Sequence, residues 1–249
     1  MKISGNKILI TGGGTGIGFS LAQAFLKEGN EVLICGRREA RLFEAQQRLP
    51  DLKIKVCDIS NDEGRESLAN WALTFGVNIL INNAGMQRMV DLRDGLPALT
   101  GGDNEIRCNL EGPVYLTARL IPHLMKKKPA AVINVSSALG FVPIAMMPIY
   151  CATKAALHSF TVSLRHQLSD TSVRVFEVIP PTVDTELDRG ARAKRGQADR
   201  GILPAEVTQA VLAGMAEDQF EIAVGMATKL ISGSRGNFEQ IFQSMNARR

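Results

Sequence analysis

Short runs of apolar, mostly β-branched residues alternate along the chain with longer segments in which apolar residues recur every three or four positions. The short runs are typical of buried strands, and the longer segments are typical of amphipathic helices. The predicted strands are 7–11, 31–35, 53–57, 78–81, 131–135, 173–179 and 220–224. The predicted helices are 16–29, 39–49, 62–75, 103–128, 149–168 and 204–218, with a bend in the fourth near Gly112 and Pro113.

This alternation predicts an α/β protein with a seven-stranded parallel sheet and helices on both of its faces. Because crossovers between parallel strands are right-handed, the expected arrangement is the doubly wound Rossmann fold, formed here by a single domain spanning 1–249. Ligands bind such sheets outside the carboxyl ends of the strands. We therefore expect the irregular segments 85–102, 138–148 and 181–203 to surround the site.

The composition narrows the possible classes of function. Aromatic residues make up only 5% of the chain and the net charge is +4, which disfavours a protein that binds nucleic acid. No apolar run approaches the roughly 20 residues that a membrane span needs, and no signal peptide precedes the first strand, so we expect a cytoplasmic protein. The four cysteines are scattered and are expected to be free thiols, and no metal site is predicted.

A glycine-rich segment, T-G-G-G-T-G-I-G, joins the first predicted strand to the first helix. Glycine allows the backbone to turn tightly and to approach a pyrophosphate, while the helix N-terminus presents N–H groups to it. A tight turn without a ligand is the alternative. If the loop binds a dinucleotide, its contacting residues are predicted to be Gly12, Thr15, Gly16, Ile17 and Gly18.

The end of the second strand, C-G-R-R, indicates which dinucleotide is bound. An acidic residue after this strand would accept hydrogen bonds from the adenosine ribose and favour NAD(H), but the chain has Gly36, Arg37 and Arg38 there. A guanidinium group suits a 2′-phosphate. The sequence therefore predicts NADP(H), with NAD(H) disfavoured. The alternative is that these arginines only begin a helix.

Tyr150 and Lys154 lie four residues apart in Y-C-A-T-K and so share one helix face, and Ser137 follows an apolar strand pattern upstream. A free tyrosine has a pKa of about 10, too high for efficient proton transfer near neutral pH. An ammonium group about 4 Å away favours the phenolate by about 4 kcal/mol before desolvation is counted. Tyr150 could then exchange a proton with the substrate while the Ser137 hydroxyl holds the substrate oxygen. A surface pair on a helix is the alternative for the Tyr–Lys spacing alone.

With these motifs together, the chain resembles the short-chain dehydrogenase/reductase family over nearly its whole length. The segments N-N-A-G-M-Q-R, Y-C-A-T-K-A-A-L-H-S-F and I-P-P-T-V-D-T-E-L are similar to its DltE-like branch. The resemblance implies hydride transfer at the nicotinamide, between NADP(H) and a carbonyl or alcohol. It implies a catalytic set of Asn109, Ser137, Tyr150 and Lys154.

The resemblance also assigns further contacts with the cofactor. Asp58 matches the residue that binds the adenine amino group, Thr185 matches the one that contacts the nicotinamide carboxamide, and Lys154 would also bind the ribose hydroxyls. Asn109 matches the residue that helps to hold a water for proton relay through the lysine. The implied cofactor contacts beyond the glycine loop and the two arginines are Asp58, Asn83, Ala84, Gly85, Tyr150, Lys154, Val183 and Thr185.

Two segments depart from the family pattern. Pro180-Pro181 stands where Pro-Gly is common, so the loop beside the nicotinamide is stiffer and has one backbone donor fewer. Gly13, Gly14 and Thr15 stand where serines or a basic residue are common, which leaves a 2′-phosphate dependent on Arg37 and Arg38.

Substrate contacts are predicted from the apolar segment before Tyr150, namely Ser137, Leu139, Met146, Met147 and Tyr150. Packing into the core or an oligomer interface is the alternative for half of that segment. In relatives the region 183–203 forms a lid over the substrate. Its basic part, 189–200, either recruits an anionic group of the substrate or is a solvated helix face.

The favoured function is an NADP(H)-dependent oxidoreductase that acts on a small carbonyl or alcohol. The alternative is a dinucleotide-binding redox sensor or regulator without turnover, which would have no need of Tyr150. By analogy with relatives, the long helices 103–128 and 149–168 are expected to pair in a homotetramer or homodimer.

Overall fold

The computed structural model describes residues 1–100, 104–187 and 201–247. Its seven strands form one parallel sheet in the order β3-β2-β1-β4-β5-β6-β7. The strands are β1 Lys7–Thr11, β2 Glu31–Gly36, β3 Lys53–Val56, β4 Ile79–Asn82, β5 Ala130–Val135, β6 Val173–Ile179 and β7 Glu221–Ala223. The order changes direction between β1 and β4, which creates a crevice at the carboxyl ends of these two strands.

Eight α-helices lie in the described ranges. They are α1 Gly16–Lys27, α2 Glu39–Arg48, α3 Asp62–Phe75, α4 Gly112–Leu124, α5 Pro148–Gln167, α6 Pro204–Ala216, α7 Met226–Gly236 and α8 Phe238–Asn246. The predicted doubly wound Rossmann fold with seven parallel strands is confirmed. That the chain acts as one domain stays a prediction.

The sheet is covered on both faces, and alternate residues of each central strand enter different cores. Ile8 and Ile10 of β1 belong to a core with Phe25 of α1 and Val207 of α6. Leu9 of β1 belongs to a second core, which α3, α4 and α5 cover. Burial on both faces explains why the central strands are apolar throughout rather than alternating with polar residues.

The predicted long helix 103–128 was wrong in its end, and its predicted bend near Gly112 and Pro113 lies next to a π-helical turn. A π-helical turn over Arg107–Glu111 precedes α4, which begins at Gly112 and ends at Leu124. Pro113 has no backbone N–H, so the carbonyl of Asn109 one turn earlier loses its usual helical donor. Short π-helical turns occur often at functional sites, and this one contains Asn109.

The two C-terminal helices, α7 and α8, were missed because the sequence interpretation ended at the last strand. Phe238, Ile241, Phe242 and Met245 recur at helical spacing and were the available signal. A Cβ added at Gly233 of α7 would lie 2.3 Å from a side-chain carbon of Ile241, so the two helices pack closely. Across residues 1–100, 104–187 and 201–247, no helix has the length and apolar character required to cross a membrane.

Candidate active site

A cleft of about 2270 Å³ opens at the carboxyl ends of the strands. This exceeds the volume of about 300–1,000 Å³ that is usual for a site holding one small ligand, so the cleft has room for two ligands side by side. The cleft is lined by most of the predicted cofactor residues, namely Gly12, Thr15, Gly16, Ile17, Arg37, Arg38, Asp58, Asn83, Ala84, Gly85, Tyr150, Lys154, Val183 and Thr185.

Gly18 is the exception, because it supports the glycine loop from behind. A Cβ there would lie 2.3 Å from the Gly12 carbonyl oxygen and 2.6 Å from Nδ2 of Asn83. Gly12 and Gly16 have φ of +66° and +56°, a region that residues with a Cβ rarely adopt. The loop therefore needs glycine at these places for its own geometry as well as for the approach of a ligand.

The N-terminus of α1 points its unpaired backbone donors at the cleft. The helix begins at Gly16, its first turn has no acidic residue, and the Thr15 side chain makes no capping hydrogen bond. The Thr15 hydroxyl instead accepts a hydrogen bond from the Arg38 guanidinium at 3.3 Å. A helix N-terminus without a side-chain cap fits a phosphate group, and the glycine loop leaves space for one.

The N-N-A-G motif is fastened to β1 across the crevice. The Thr11 hydroxyl accepts hydrogen bonds from the backbone N–H groups of Asn83 and Ala84, each at 3.0 Å. The Asn83 side chain donates to the Thr11 carbonyl at 2.9 Å. These bonds hold the segment after β4 beside the glycine loop, so the two segments predicted to contact the cofactor are fixed relative to each other.

Tyr150 and Lys154 lie one turn apart on α5, and both line the cleft. The Lys154 ammonium lies 5.7 Å from the centroid of the Tyr150 ring and donates a hydrogen bond to the Val135 carbonyl at 2.8 Å. Ser137 lines the same cleft just beyond β5, where its hydroxyl accepts a hydrogen bond from the Leu139 N–H at 3.2 Å. The three side chains thus face one volume from two neighbouring elements.

Burial sets the protonation of Lys154. Desolvation lowers the pKa of its ammonium to about 8, and electrostatic interactions with Cys108 and Glu177 oppose the shift only in part. At neutral pH the amine remains mostly protonated, and it loses its charge as the pH rises through about 8. A buried amine with a pKa near working pH, next to a tyrosine in a cleft, is typical of a catalytic group.

Asn109 is completely buried and does not line the cleft. Its side chain exchanges two hydrogen bonds with the backbone of Met86, at 2.8 and 2.9 Å, and donates to the Thr153 hydroxyl at 3.2 Å. A Cβ at Gly85 would lie 3.5 Å from Asn109 Oδ1 and 3.6 Å from Lys154 Nζ. Asn109 therefore ties the loop after β4 to α5 directly behind Lys154.

A second buried polar group, Glu177, lies next to Ser136, and sequence reasoning missed it. Glu177 of β6 accepts hydrogen bonds from the Ser136 hydroxyl at 2.5 Å and from the His158 ring at 2.8 Å. The hydrogen bond to Glu177 raises the pKa of His158, since it favours the charged imidazole. An acidic residue in the middle of an apolar strand pattern was the signal that could have found Glu177.

The predicted substrate residues all line the cleft but differ in exposure. Met147 is 2% exposed and packs with Tyr150 and Cys151, whereas Met146 is 41% exposed. Met89 and Met245, which were not predicted, also line this end of the cleft. Most of the predicted lid, and the basic segment 189–200 within it, lies outside the described residues.

The cleft end at Arg37 and Arg38, where the sequence predicts the adenosine of a dinucleotide (the adenosine end), contains more charged residues than the sequence indicated. Arg38 is the N-cap residue of α2, as the alternative interpretation expected, and it also lines the cleft. Arg38 and Arg41 each form an ion pair with Glu186, at 2.8 Å in both cases. Arg41 and Glu186 were missed, although Glu186 follows Thr185 directly. Within the described ranges, no group of three or more His, Cys, Asp or Glu side chains could hold a metal ion.

A family model described as "short chain dehydrogenase" matches residues 6–196. The chain belongs to the short-chain dehydrogenase/reductase family. It is 47% identical over 248 residues to the "Uncharacterized oxidoreductase DltE" of Bacillus subtilis, a match that covers 99% of this chain and 98% of the relative. It is also 33% identical over 207 residues to an uncharacterized oxidoreductase of Staphylococcus saprophyticus, with 77% and 86% of the two chains covered. The resemblance to the DltE-like branch is thus confirmed.

Solved structures of this family share the fold along the whole chain. A short-chain dehydrogenase from Burkholderia cenocepacia in complex with NADP is 28% identical, with a TM-score of 0.82 over 100% of both chains. A member of the family from Burkholderia phymatum in complex with NAD is 22% identical, with a TM-score of 0.85 over 100% of this chain and 98% of that one. The second similarity supports the fold alone.

Proposed function

We propose that this short-chain dehydrogenase/reductase is an NADP(H)-dependent oxidoreductase that interconverts a carbonyl and an alcohol. The observation that carries the proposal is that Ser137, Tyr150 and Lys154 line the same cleft as the glycine loop. The nicotinamide supplies or accepts the hydride when the dinucleotide is bound. The chain's own residues bind the dinucleotide, orient the substrate and move the proton.

Tyr150 is the proposed proton donor in carbonyl reduction and the proton acceptor in alcohol oxidation. Lys154, whose amine is mostly charged at neutral pH, favours the phenolate form of Tyr150 and brings its proton affinity closer to working pH. Burial of both side chains strengthens this effect, because little water screens the charge. In the proposed complex, Lys154 also binds the nicotinamide ribose hydroxyls.

Ser137 and Asn109 are proposed to support this proton transfer. The Ser137 hydroxyl, just beyond the C-terminal end of β5, would donate a hydrogen bond to the substrate oxygen as negative charge develops there. Asn109 acts from behind the cleft wall by holding the segment around Met86 and the start of α5 in place. We propose that it also helps to hold a water for proton exchange through Lys154.

The preference for NADP(H) is supported by charge at the adenosine end. Gly36 stands where an acidic residue would contact the ribose, and Arg37 and Arg38 follow it in the cleft. The 28% identical Burkholderia cenocepacia structure, which contains NADP, is consistent with this preference. In the Arg37→Ala variant we expect the ratio of NADPH to NADH efficiency to fall by about tenfold. An unchanged ratio would remove Arg37 from the site.

The test of the reaction class is a panel of ketones, aldehydes and alcohols, followed through the absorbance of NADPH. We expect turnover of at least one apolar carbonyl or alcohol, because Leu139, Met146 and Met147 line the substrate end. The panel includes apolar compounds with and without an anionic group, since we also propose that the basic segment 189–200 attracts such a group. Failure of every compound, with NADPH bound, would favour a regulator.

The quaternary structure and location follow as proposals from family membership. The exposed faces of α4 and α5 carry Tyr115 and Val162, which are 52% and 45% exposed. We propose that these faces pair in a homotetramer or homodimer. We also propose that the protein works in the cytoplasm. The segment 183–203 is proposed to close over the substrate.

A further inference from the structure

One carboxylate closes the adenosine end of the cleft. The two oxygens of Glu186 form separate ion pairs with Arg38 and with Arg41, each at 2.8 Å. The other Arg38 nitrogen donates to the Thr15 hydroxyl at 3.3 Å. Two guanidinium groups thus converge on one anion, and that anion belongs to a segment 148 residues away from Arg38 in the chain.

The position of Glu186 is fixed by its neighbours rather than by the arginines alone. Thr185 lies against the glycine loop, so that a Cβ at Gly16 would come within 2.9 Å of its methyl group. The segment is also held from the other side, because Val183 forms a β-bridge with Ile202 and the Asp184 N–H donates to the Ile202 carbonyl at 2.9 Å. These contacts anchor the backbone on the N-terminal side of Glu186 and place its carboxylate within reach of both arginines.

We propose that Glu186 discriminates between cofactors: its carboxylate competes with the 2′-phosphate of NADP(H) for Arg38 and Arg41. This inference rests on the proposed function, since it concerns the same dinucleotide site. A dianionic 2′-phosphate that reached Arg38 would displace Glu186 from it, or would bind beside the carboxylate and be repelled by it. In both cases Glu186 lowers the affinity for a 2′-phosphorylated nucleotide.

The competition does not extend to nucleotides that lack the 2′-phosphate. Such a ligand brings no 2′-phosphate to Arg38 and Arg41, so it lacks the group that would exchange with the Glu186 carboxylate. The effect is moderate because these side chains are exposed, with 60% for Arg38 and 34% for Glu186, and solvent screens exposed ion pairs. Removing the carboxylate is expected to raise the affinity for a 2′-phosphate by about three- to tenfold.

The test compares 2′,5′-ADP with 5′-AMP, which differ only in the 2′-phosphate, by isothermal titration calorimetry on the full chain. In the Glu186→Gln variant we expect the Kd for 2′,5′-ADP to fall by about three- to tenfold, with the Kd for 5′-AMP changed by less than about twofold. The matched control is Glu44→Gln. Glu44 pairs with Arg41 but not with Arg38, and its loss leaves the Glu186 carboxylate in place on both arginines, so both constants should stay within about twofold.

Three outcomes would overturn the proposal. These are an unchanged Kd for 2′,5′-ADP in Glu186→Gln, a weakened Kd, or equal tightening for both nucleotides. A change in Glu44→Gln as large as in Glu186→Gln would also overturn it, because the effect would then be one of general charge. The proposed NADP(H) preference is tested separately, since it fails if the wild-type protein binds 2′,5′-ADP no better than 5′-AMP.

Discussion

The two ends of the cleft are built in opposite ways. At the end proposed to be catalytic, Ser137, Tyr150 and Lys154 are only 6%, 6% and 4% exposed, and buried hydrogen bonds join Lys154 to Val135 and Ser136 to Glu177. At the adenosine end the charged groups are exposed and paired through long side chains, with Arg41 41% exposed. The proposed catalytic groups are thus held in a fixed low-dielectric setting, while the proposed phosphate-binding groups can exchange one partner for another.

This contrast indicates that the buried end of the cleft determines the reaction rate and that the exposed end determines the affinity for the cofactor. Proton transfer depends on distances and on a poorly screened charge, so the catalytic end requires burial and rigid support. Recognition of a phosphate needs only net positive charge within reach, and exposed ion pairs contribute modestly. Substitutions at the catalytic end should therefore change rates by orders of magnitude, and substitutions at the adenosine end should change affinities by a few fold.

The largest effect is expected for Lys154→Met. The substitution removes the ammonium that favours the Tyr150 phenolate, so kcat should fall by about 10²–10⁴. The free energy of unfolding should not fall, because an apolar side chain of similar length replaces a buried charge whose desolvation is unfavourable. Steady-state kinetics and urea unfolding check the two parts.

The control for that variant is Lys128→Met, which alters an exposed lysine after α4. It should leave both kcat and stability near wild type. Retention of wild-type kcat in Lys154→Met would show that the buried amine is structural. The claim that substitutions at the buried end change the rate by orders of magnitude would then be wrong.

A smaller effect is expected for Gly18→Ala, at the support of the glycine loop. The added Cβ would collide with the Gly12 carbonyl and the Asn83 side chain, so the loop must shift. We expect a loss of about 1–3 kcal/mol in the free energy of unfolding, together with weaker binding of NADPH. Urea unfolding and NADPH fluorescence titration measure these changes.

Gly236→Ala is the matched control, because a Cβ there meets nothing within 4 Å and the residue ends α7. It should leave NADPH binding unchanged and should not lower stability. Equal behaviour of the two alanine variants would contradict the tight packing described for the glycine loop.

The smallest effect concerns the buried hydrogen bonds that Glu177 forms with Ser136 and His158. Glu177 on β6 raises the pKa of His158 above its usual value of about 6.5, Glu221 on β7 adds to the shift, and Arg165 on α5 opposes it. Because the pKa of His158 is higher in the folded than in the unfolded state, its protonation stabilises the fold. This contribution is complete at pH values below the unfolded pKa and is lost as the pH rises through the folded pKa.

His158→Gln should therefore cost about 1 kcal/mol more in unfolding free energy at pH 5.5 than at pH 8.5. Urea unfolding at the two pH values measures the difference. The control is His166→Gln, on the exposed last turn of the same helix. If the cost of His158→Gln were the same at both pH values, the ion pair with Glu177 would not contribute to stability.

The fold and the lining of the cleft could be predicted because local patterns determine them. Apolar strands alternate with amphipathic helices, and motifs at strand ends must meet at one edge of a parallel sheet. The i, i+4 spacing that placed Tyr150 and Lys154 on one helix face needs no knowledge of tertiary structure. Among the elements that were predicted, the errors lie at the ends, as at Leu124, where the helix ends before the lysine run.

Features that depend on contacts between distant segments could not be predicted. Glu186 reaches Arg38 across the cleft, and Glu177 on β6 meets His158 on α5, but neither pairing has a signature in sequence spacing. Asn109 was placed by resemblance, while the π-helical turn that buries it depends on Pro113 in its three-dimensional setting. The C-terminal helices were a different case, since the periodicity around Phe242 was readable.

The central claim is that Tyr150 exchanges a proton with substrate beside the bound nicotinamide, and the Tyr150→Phe variant tests it most directly. The measurement is NADPH oxidation with a carbonyl from the panel that the wild-type protein reduces, together with NADPH affinity. We predict that turnover falls by about 10²–10⁴ while the NADPH Kd stays within about threefold. Turnover close to that of the wild type, with NADPH bound normally, would contradict the account.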